Sequence, residues 1–181
     1  MSDPDVSLRR LVEEDAESFW AVRLRALREH PEAFGRSYEE SRATPIAAVR
    51  ERLGIASAPP NGVALGAFLG GALVGTAGVA RQEPERQRHK ATLWGVYVAP
   101  EARGRGVARR LVAEAIVHAR ALPDLEQIHL MVGERSLGAR AIYASLGFVP
   151  YGREPRANRL GPGDYLDEDL MVLFLVEGPA G

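Results

Sequence analysis

Val96-Tyr97-Val98-Ala99-Pro100-Glu101-Ala102-Arg103-Gly104-Arg105-Gly106-Val107-Ala108-Arg109-Arg110 carries an apolar strand through a basic, glycine-rich turn into an amphipathic helix. The first turn of an α-helix leaves N–H groups without intrahelical partners, and the macrodipole adds partial positive charge at the same end. Gly104 and Gly106 lack a Cβ, so a ligand can approach the backbone and the chain can take φ > 0. Arg103, Arg105, Arg109 and Arg110 ring the turn with fixed charge, and a guanidinium fork suits phosphate oxygens. The segment reads as a phosphate cradle, although an ordinary strand-to-helix turn with a solvated basic face shares the pattern.

Composition bounds what such a cradle can serve. A chain of 181 residues fits one domain over residues 1–181 and can bury about 70% of its unfolded surface without staples. The absence of cysteine removes disulfides, thiolate zinc sites and a Cys nucleophile, and suits a cytoplasmic protein. With 23 basic and 24 acidic side chains the net charge is −1, so the arginines near position 105 form a local patch rather than a nucleic-acid surface. Met1-Ser2-Asp3-Pro4-Asp5 is acidic and lacks an apolar core, so no secretory or mitochondrial signal is expected. His30, His118 and His129 lack a zinc-like spacing, and no metal is expected.

Outward from the turn the elements alternate. The helix predicted over Gly104 to Ala121 places Val107, Ala108, Leu111, Val112, Ala115, Ile116 and Ala119 on one stripe, and Pro123 follows its end. Strands are predicted at Val6 to Leu11, Thr92 to Val98, Ile128 to Val132, Phe148 to Tyr151 and Leu170 to Val176. Further helices are predicted at Glu13 to Glu29, Pro45 to Leu53 and Ser136 to Leu146, the last stopped by Gly147. Gly62 to Ala80 is uncharged and long enough for a membrane span, but Gly70-Gly71 at its centre favours a β-hairpin, with Val63, Leu65, Ala67 and Leu69 on one strand face. The unit from Val96 to Val132 implies a right-handed crossover between parallel strands, so the sheet is mixed.

The basic turn resembles the acyl-CoA-binding segment of the GNAT superfamily of N-acyltransferases, Gln/Arg-x-x-Gly-x-Gly/Ala, here Arg103-Gly104-Arg105-Gly106-Val107-Ala108. That superfamily's second segment, Asn-x-x-Ala-x-x-x-Tyr-x-x-x-Gly-Phe, is similar to the run from Ser136 through Ala139 and Tyr143 to Gly147-Phe148. The two occur in the expected order. The resemblance implies a three-layer α/β (α+β) fold with a mixed, mostly antiparallel sheet whose parallel fourth and fifth strands splay apart. It further implies acetyl-CoA as acyl donor, with pantetheine beside Val96, Tyr97 and Val98. Pyrophosphate would lie on the N–H groups from Gly104 to Ala108, helped by Arg103, Arg105 and Arg109, and Ser136 and Ala139 belong to the same expected cofactor site.

An amine would attack the thioester directly, after losing a proton, since alkylamines titrate near pH 10. The backbone N–H near Val98 is the family-like oxyanion donor, and Tyr143 the acid that protonates the departing thiolate. Tyr143 also shares a helical stripe with Ala139, Ile142 and Leu146, which leaves a packing role open. Ser136 replaces the usual Asn, and its hydroxyl can cap the following helix. No acid lies within Leu93 to Val98, so Glu83, with His89, Glu168 and Asp169 behind it, is the base candidate by position.

The acceptor is expected to be a small-molecule or peptide amine. Phe34, Tyr38 and Tyr165, with the acids Asp164, Asp167 and Glu168, are the residues expected along its approach, which suits a cationic amine. No nucleic-acid or membrane partner is expected, and a monomer or homodimer fits. A nucleophile elbow fails because Gly133-Glu134-Arg135-Ser136-Leu137-Gly138 holds one residue too many, and a dinucleotide fingerprint fails at Ala108-Arg109. The alternative is an acyl-CoA-binding sensor or partner-binding module without transfer activity.

Overall fold

The computed structural model describes residues 6–176; the N-terminal Met1-Ser2-Asp3-Pro4-Asp5 segment lies outside them. Seven strands form one sheet: β1 (Val6–Arg10), β2 (Gly62–Leu69), β3 (Ala72–Arg81), β4 (Lys90–Val98), β5 (Gln127–Gly133), β6 (Val149–Gly161) and β7 (Asp164–Phe174). Their spatial order is β1-β2-β3-β4-β5-β7-β6, and every neighbouring pair is antiparallel except β4 with β5. The helices are α1 (Ala16–Glu29), α2 (Tyr38–Arg42), α3 (Ile46–Ser57), α4 (Val107–Arg120) and α5 (Leu137–Ser145).

The three layers follow from side-chain alternation along the Gly62 to Ala80 run. Val63, Leu65 and Ala67 bury toward α4, beside Val107, Leu111 and Ala115, whereas Ala64 and Phe68 bury toward α1 and α3, beside Phe19, Val49 and Leu53. Both faces are covered, which is why the run reads as almost unbroken hydrophobicity. Gly70 and Gly71 take φ of +57° and +86°, the turn that the hairpin reading requires. Among the described residues no helix is long and apolar enough to cross a membrane.

Several boundaries moved. The helix expected from Gly104 starts at Val107, because Gly104 and Gly106 sit at φ of +77° and +69°, outside helical geometry. The strands expected to end at Tyr151 and to begin at Leu170 instead extend into a long hairpin, Val149–Gly161 with Asp164–Phe174. Its first strand is exposed over most of its length and shows no two-residue apolar period, so pattern alone could not reveal it. Ion pairs supply what hydrophobic alternation does not: Arg153 Nε lies 3.0 Å from Asp167, and its terminal nitrogens reach Glu134 and Asp169.

Candidate active site

β4 and β5 run together for only three residue pairs, Lys90 with Gln127, Ala91 with Ile128 and Thr92 with His129. Beyond Thr92 they separate. The cause is local: the β3–β4 register slips between Thr76 and Gly78, leaving Gly95 and Val96 opposite one residue of β3. Gly95 takes φ of +64° at this bulge, and the Thr76 hydroxyl donates to its carbonyl at 2.7 Å. Further along, the Ala99 N–H donates to the Val74 carbonyl on β3, so strand alternation turns the N–H and C=O of Val98 toward the gap.

The gap is a cleft of about 670 Å³ that ends at the first turn of α4 and is walled by α5 and by the His30 to Phe34 segment. Gly106 caps α4 without a side-chain acceptor, and Arg110 N–H is the first to return, to Gly106 O. The amides of Val107, Ala108 and Arg109 are therefore the donors α4 leaves unused within the helix, at the positive end of its dipole. A Cβ at Gly104 or Gly106 would meet nothing within 4 Å, so these glycines serve the left-handed backbone itself. Every residue of the expected cofactor site borders the cleft except Arg105, and Phe34 borders it too, whereas the base candidates Glu83, His89, Glu168 and Asp169 and the acceptor-side Tyr38, Tyr165, Asp164 and Asp167 do not. Arg105 is exposed at the tip of the turn.

Glu83 is a correction. Gln82 N–H donates to Lys90 O, so Glu83 stands beyond the start of β4, exposed, at the end of the strand away from Val98, about 25 Å along it. His89 shares that far end. His129 instead faces Tyr151, at 3.2 Å, and lines a separate small pocket.

Tyr143 is 7% exposed, edge-on to Phe148 at 6.0 Å, and its ring serves the core while its side chain also borders the cleft. Burial pushes its phenol up to about 12, and among the described residues its hydroxyl has no hydrogen-bond partner. Ser136 heads α5 without capping it, since its φ of −88° and ψ of 54° aim the hydroxyl elsewhere and no cap bond forms. The helix-capping expectation for Ser136 therefore does not hold.

Sequence reasoning passed over the far wall. Arg103 lies across the cleft: Nε donates to Val98 O at 3.0 Å, and a terminal nitrogen lies 3.0 Å from His30 Nε2. With a guanidinium as partner, His30 Nε2 accepts and Nδ1 carries the hydrogen given to Glu32, at 3.2 Å. Tyr97 turns its side chain to Glu29, donating at 2.7 Å, and burial and that carboxylate push its phenol up to about 12. Only the proximity of α1's end to β4 could have revealed this wall, and proximity is not in the pattern.

The acids expected to greet a cationic acceptor are already engaged. Asp164 pairs with Arg135 at 3.1 Å, Asp167 with Arg153 and the Arg156 N–H, and Glu168 accepts from Asn158 at 2.7 Å. Burial raises the Glu168 carboxyl despite that bond. Asp169 is buried against Arg140 at 2.7 Å. The aromatics also have cationic neighbours, Tyr38 beneath Arg28 and the exposed Tyr165 beneath Arg156.

The acetyltransferase (GNAT) family model matches residues 13–148, a span that includes both sequence segments and the cleft. No curated protein matches the chain in sequence. Among solved structures, a GNAT-family acetyltransferase from Streptococcus pneumoniae superposes with a TM-score of 0.85 at 23% identity, over 94% of this chain and 99% of that one. YncA from Salmonella typhimurium, determined with its cofactor acetyl-CoA, gives 0.83 at 20% identity over 98% of each chain. A phosphinothricin acetyltransferase from Sinorhizobium meliloti, in complex with acetyl-CoA, gives 0.80 at 23% identity over 96% of this chain and 90% of that one.

Proposed function

Because the chain belongs to the acetyltransferase (GNAT) family, we propose that it moves an acetyl group from acetyl-CoA to a primary amine by direct attack in a ternary complex. The observation that carries this reading is the splay itself: an open edge at Val98 leading into a helix start whose two glycines hold positive φ. Pantetheine amides can pair with the Val98 edge as a short extra strand. Pyrophosphate oxygens fit the free amides of Val107 to Arg109, with Arg103 and Arg109 as charged helpers. For Arg103 this means exchanging its bond to Val98 O for the phosphate.

In the reaction the neutral amine nitrogen forms the C–N bond, the carbonyl oxygen gathers negative charge opposite the Val98 N–H, and the C–S bond then breaks. The amine's second proton ends on sulfur. Tyr143 is the proposed hydrogen-bond donor to that sulfur. With its phenol at about 12 against a thiol near 8.5, it steadies the thiolate and keeps its own proton.

The chain contains no cysteine, so a thiol reagent added to protein, acetyl-CoA and an amine panel counts CoA alone. Amine-dependent thiol release, with the acetylated product identified by mass, is the expected result. Calorimetric binding of acetyl-CoA without release across amino acids, polyamines, peptides and aminoglycosides would overturn transfer and leave the sensor reading.

A further inference from the structure

Another cavity of about 260 Å³ lies between α1, the α2 region, α3 and Trp94 of β4. Phe19, Val49 and Leu53 make its floor apolar, but its polar groups are nearly all donors. Trp20 Nε1, Trp94 Nε1 and one terminal nitrogen of Arg23 are sealed from solvent and have no hydrogen-bond partner. Arg36 and Arg52 stand exposed at the rim, and among the described residues neither has a hydrogen bond or ion pair. No carboxylate is among the lining residues. Glu40, whose carboxyl feels the charge of Arg36, is bound by the Ser37 amide and hydroxyl, and the charge felt by Arg23 is the like charge of Arg36.

Buried donors without acceptors are costly, and native interiors rarely leave three together. Three arginines and two indoles cannot satisfy one another, since none of them accepts. Arg23, Arg36 and Arg52 line the cavity and no carboxylate does, so the group that answers them is made of acceptors and carries negative charge, and a guanidinium fork matches oxyanions best. The small volume admits a molecule of amino-acid size rather than a peptide.

The pocket adjoins the donor cleft. Trp94 immediately precedes the Gly95–Val96 bulge, and its ring lies so close over Gly78 that any Cβ there would fall 2.3 Å from it. The Arg23 guanidinium rests 4.3 Å over the Phe34 ring, and Phe34 itself borders the donor cleft. Phe34 is thus a partition with donors on one side and the proposed thioester site on the other.

We propose that this pocket takes the anionic end of the acceptor, so that the substrate is a small primary amine bearing a carboxylate, phosphinate or phosphate group. The inference rests on the acetyl-transfer reading and reverses the charge that the acids of β7 suggested. It uses the chain's own free donors, whereas those acids are matched within the fold.

Both tryptophans of the chain line the pocket, so fluorescence reports its occupancy directly. The probes are the proteinogenic amino acids and aminoalkyl phosphinates, each titrated into the protein with CoA beside its carboxamide or ester. At least one free acid is expected to give a saturable change with an affinity at least about tenfold above its neutral partner. Arg23→Met should abolish that preference while acetyl-CoA affinity stays within about twofold, and Arg36→Ala with Arg52→Ala makes the same comparison if Arg23→Met does not fold. Equal binding of acids and amides, or no response to any acid, overturns the inference even where other amines release thiol. Binding of an acid with no thiol release sustains the pocket and overturns acetyl transfer.

Discussion

The cleft between β4 and α4 and the pocket beneath α1 meet at the same strand but present different atoms to a ligand. The cleft offers backbone: the Val98 edge and the amides at the start of α4, exposed because Gly104 and Gly106 hold left-handed geometry. The pocket offers side chains drawn from α1, the Gly35–Ser41 stretch, α3 and β4. Backbone recognition requires a local conformation, so it is written as a short motif. Side-chain recognition requires several distant segments to converge, so it leaves no compact trace.

The largest expected effect tests the backbone half. Gly106→Val forces a β-branched residue to φ of +69°, a strain of about 1–3 kcal/mol, and crowds the helix start. Acetyl-CoA should bind about 100-fold more weakly by calorimetry, with the acid-induced tryptophan signal of the second pocket retained. If that signal disappears too, the two regions are one site and the contrast is wrong.

Phe34→Ala removes the partition and the surface on which Arg23 lies. A rise of about 10- to 30-fold in the acceptor KM is expected, with a smaller change in the acetyl-CoA KM. Equal losses for both substrates would make Phe34 a donor-cleft residue alone.

Tyr143→Phe keeps the ring and deletes only the hydroxyl. Turnover should fall about tenfold with acetyl-CoA affinity within twofold, and an unchanged single-turnover rate would return Tyr143 to pure packing. The same residue sets a pH expectation. Its folded pKa of about 12, like that of Tyr97, exceeds the unfolded value near 10, so the neutral phenols favour the native state. That stability is fully present below pH 10 and is lost as pH rises from 10 to 12. Melting temperatures followed across that window should decline less steeply in Tyr143→Phe than in the parent.

Ser136→Ala should do least. A working serine cap contributes about 1 kcal/mol, but this hydroxyl caps nothing, so stability should shift by less than about 0.5 kcal/mol. A change in acetyl-CoA affinity without a change in melting would give Ser136 a ligand contact in place of a structural one.

Legibility followed the same division. The run Arg103-Gly104-Arg105-Gly106 announced the cradle, and Gly70-Gly71 announced the hairpin, because positive φ is a demand that glycine alone meets freely. The stripe from Val107 to Ala119 announced α4 through its period. The β6–β7 hairpin stayed hidden because its strands are charged and held by cross-strand pairs centred on Arg153, which alternate in no simple way. Glu83 was misplaced because sequence distance from β4 says nothing about which end of the strand a loop occupies.

The sequence by itself determined the elements, the basic turn and the second segment ending at Gly147-Phe148, since each depends on neighbours within a few residues. Only the tertiary structure decided which charges are free. Asp164, Asp167 and Glu168 looked available and are matched by Arg135, Arg153 and Asn158, while Arg23, unremarkable within α1, is half-buried in a cavity wall with one terminal nitrogen sealed and without a hydrogen-bond partner. The reason is that a charge is satisfied or left open by what packs against it, and those partners come from segments far apart in the chain.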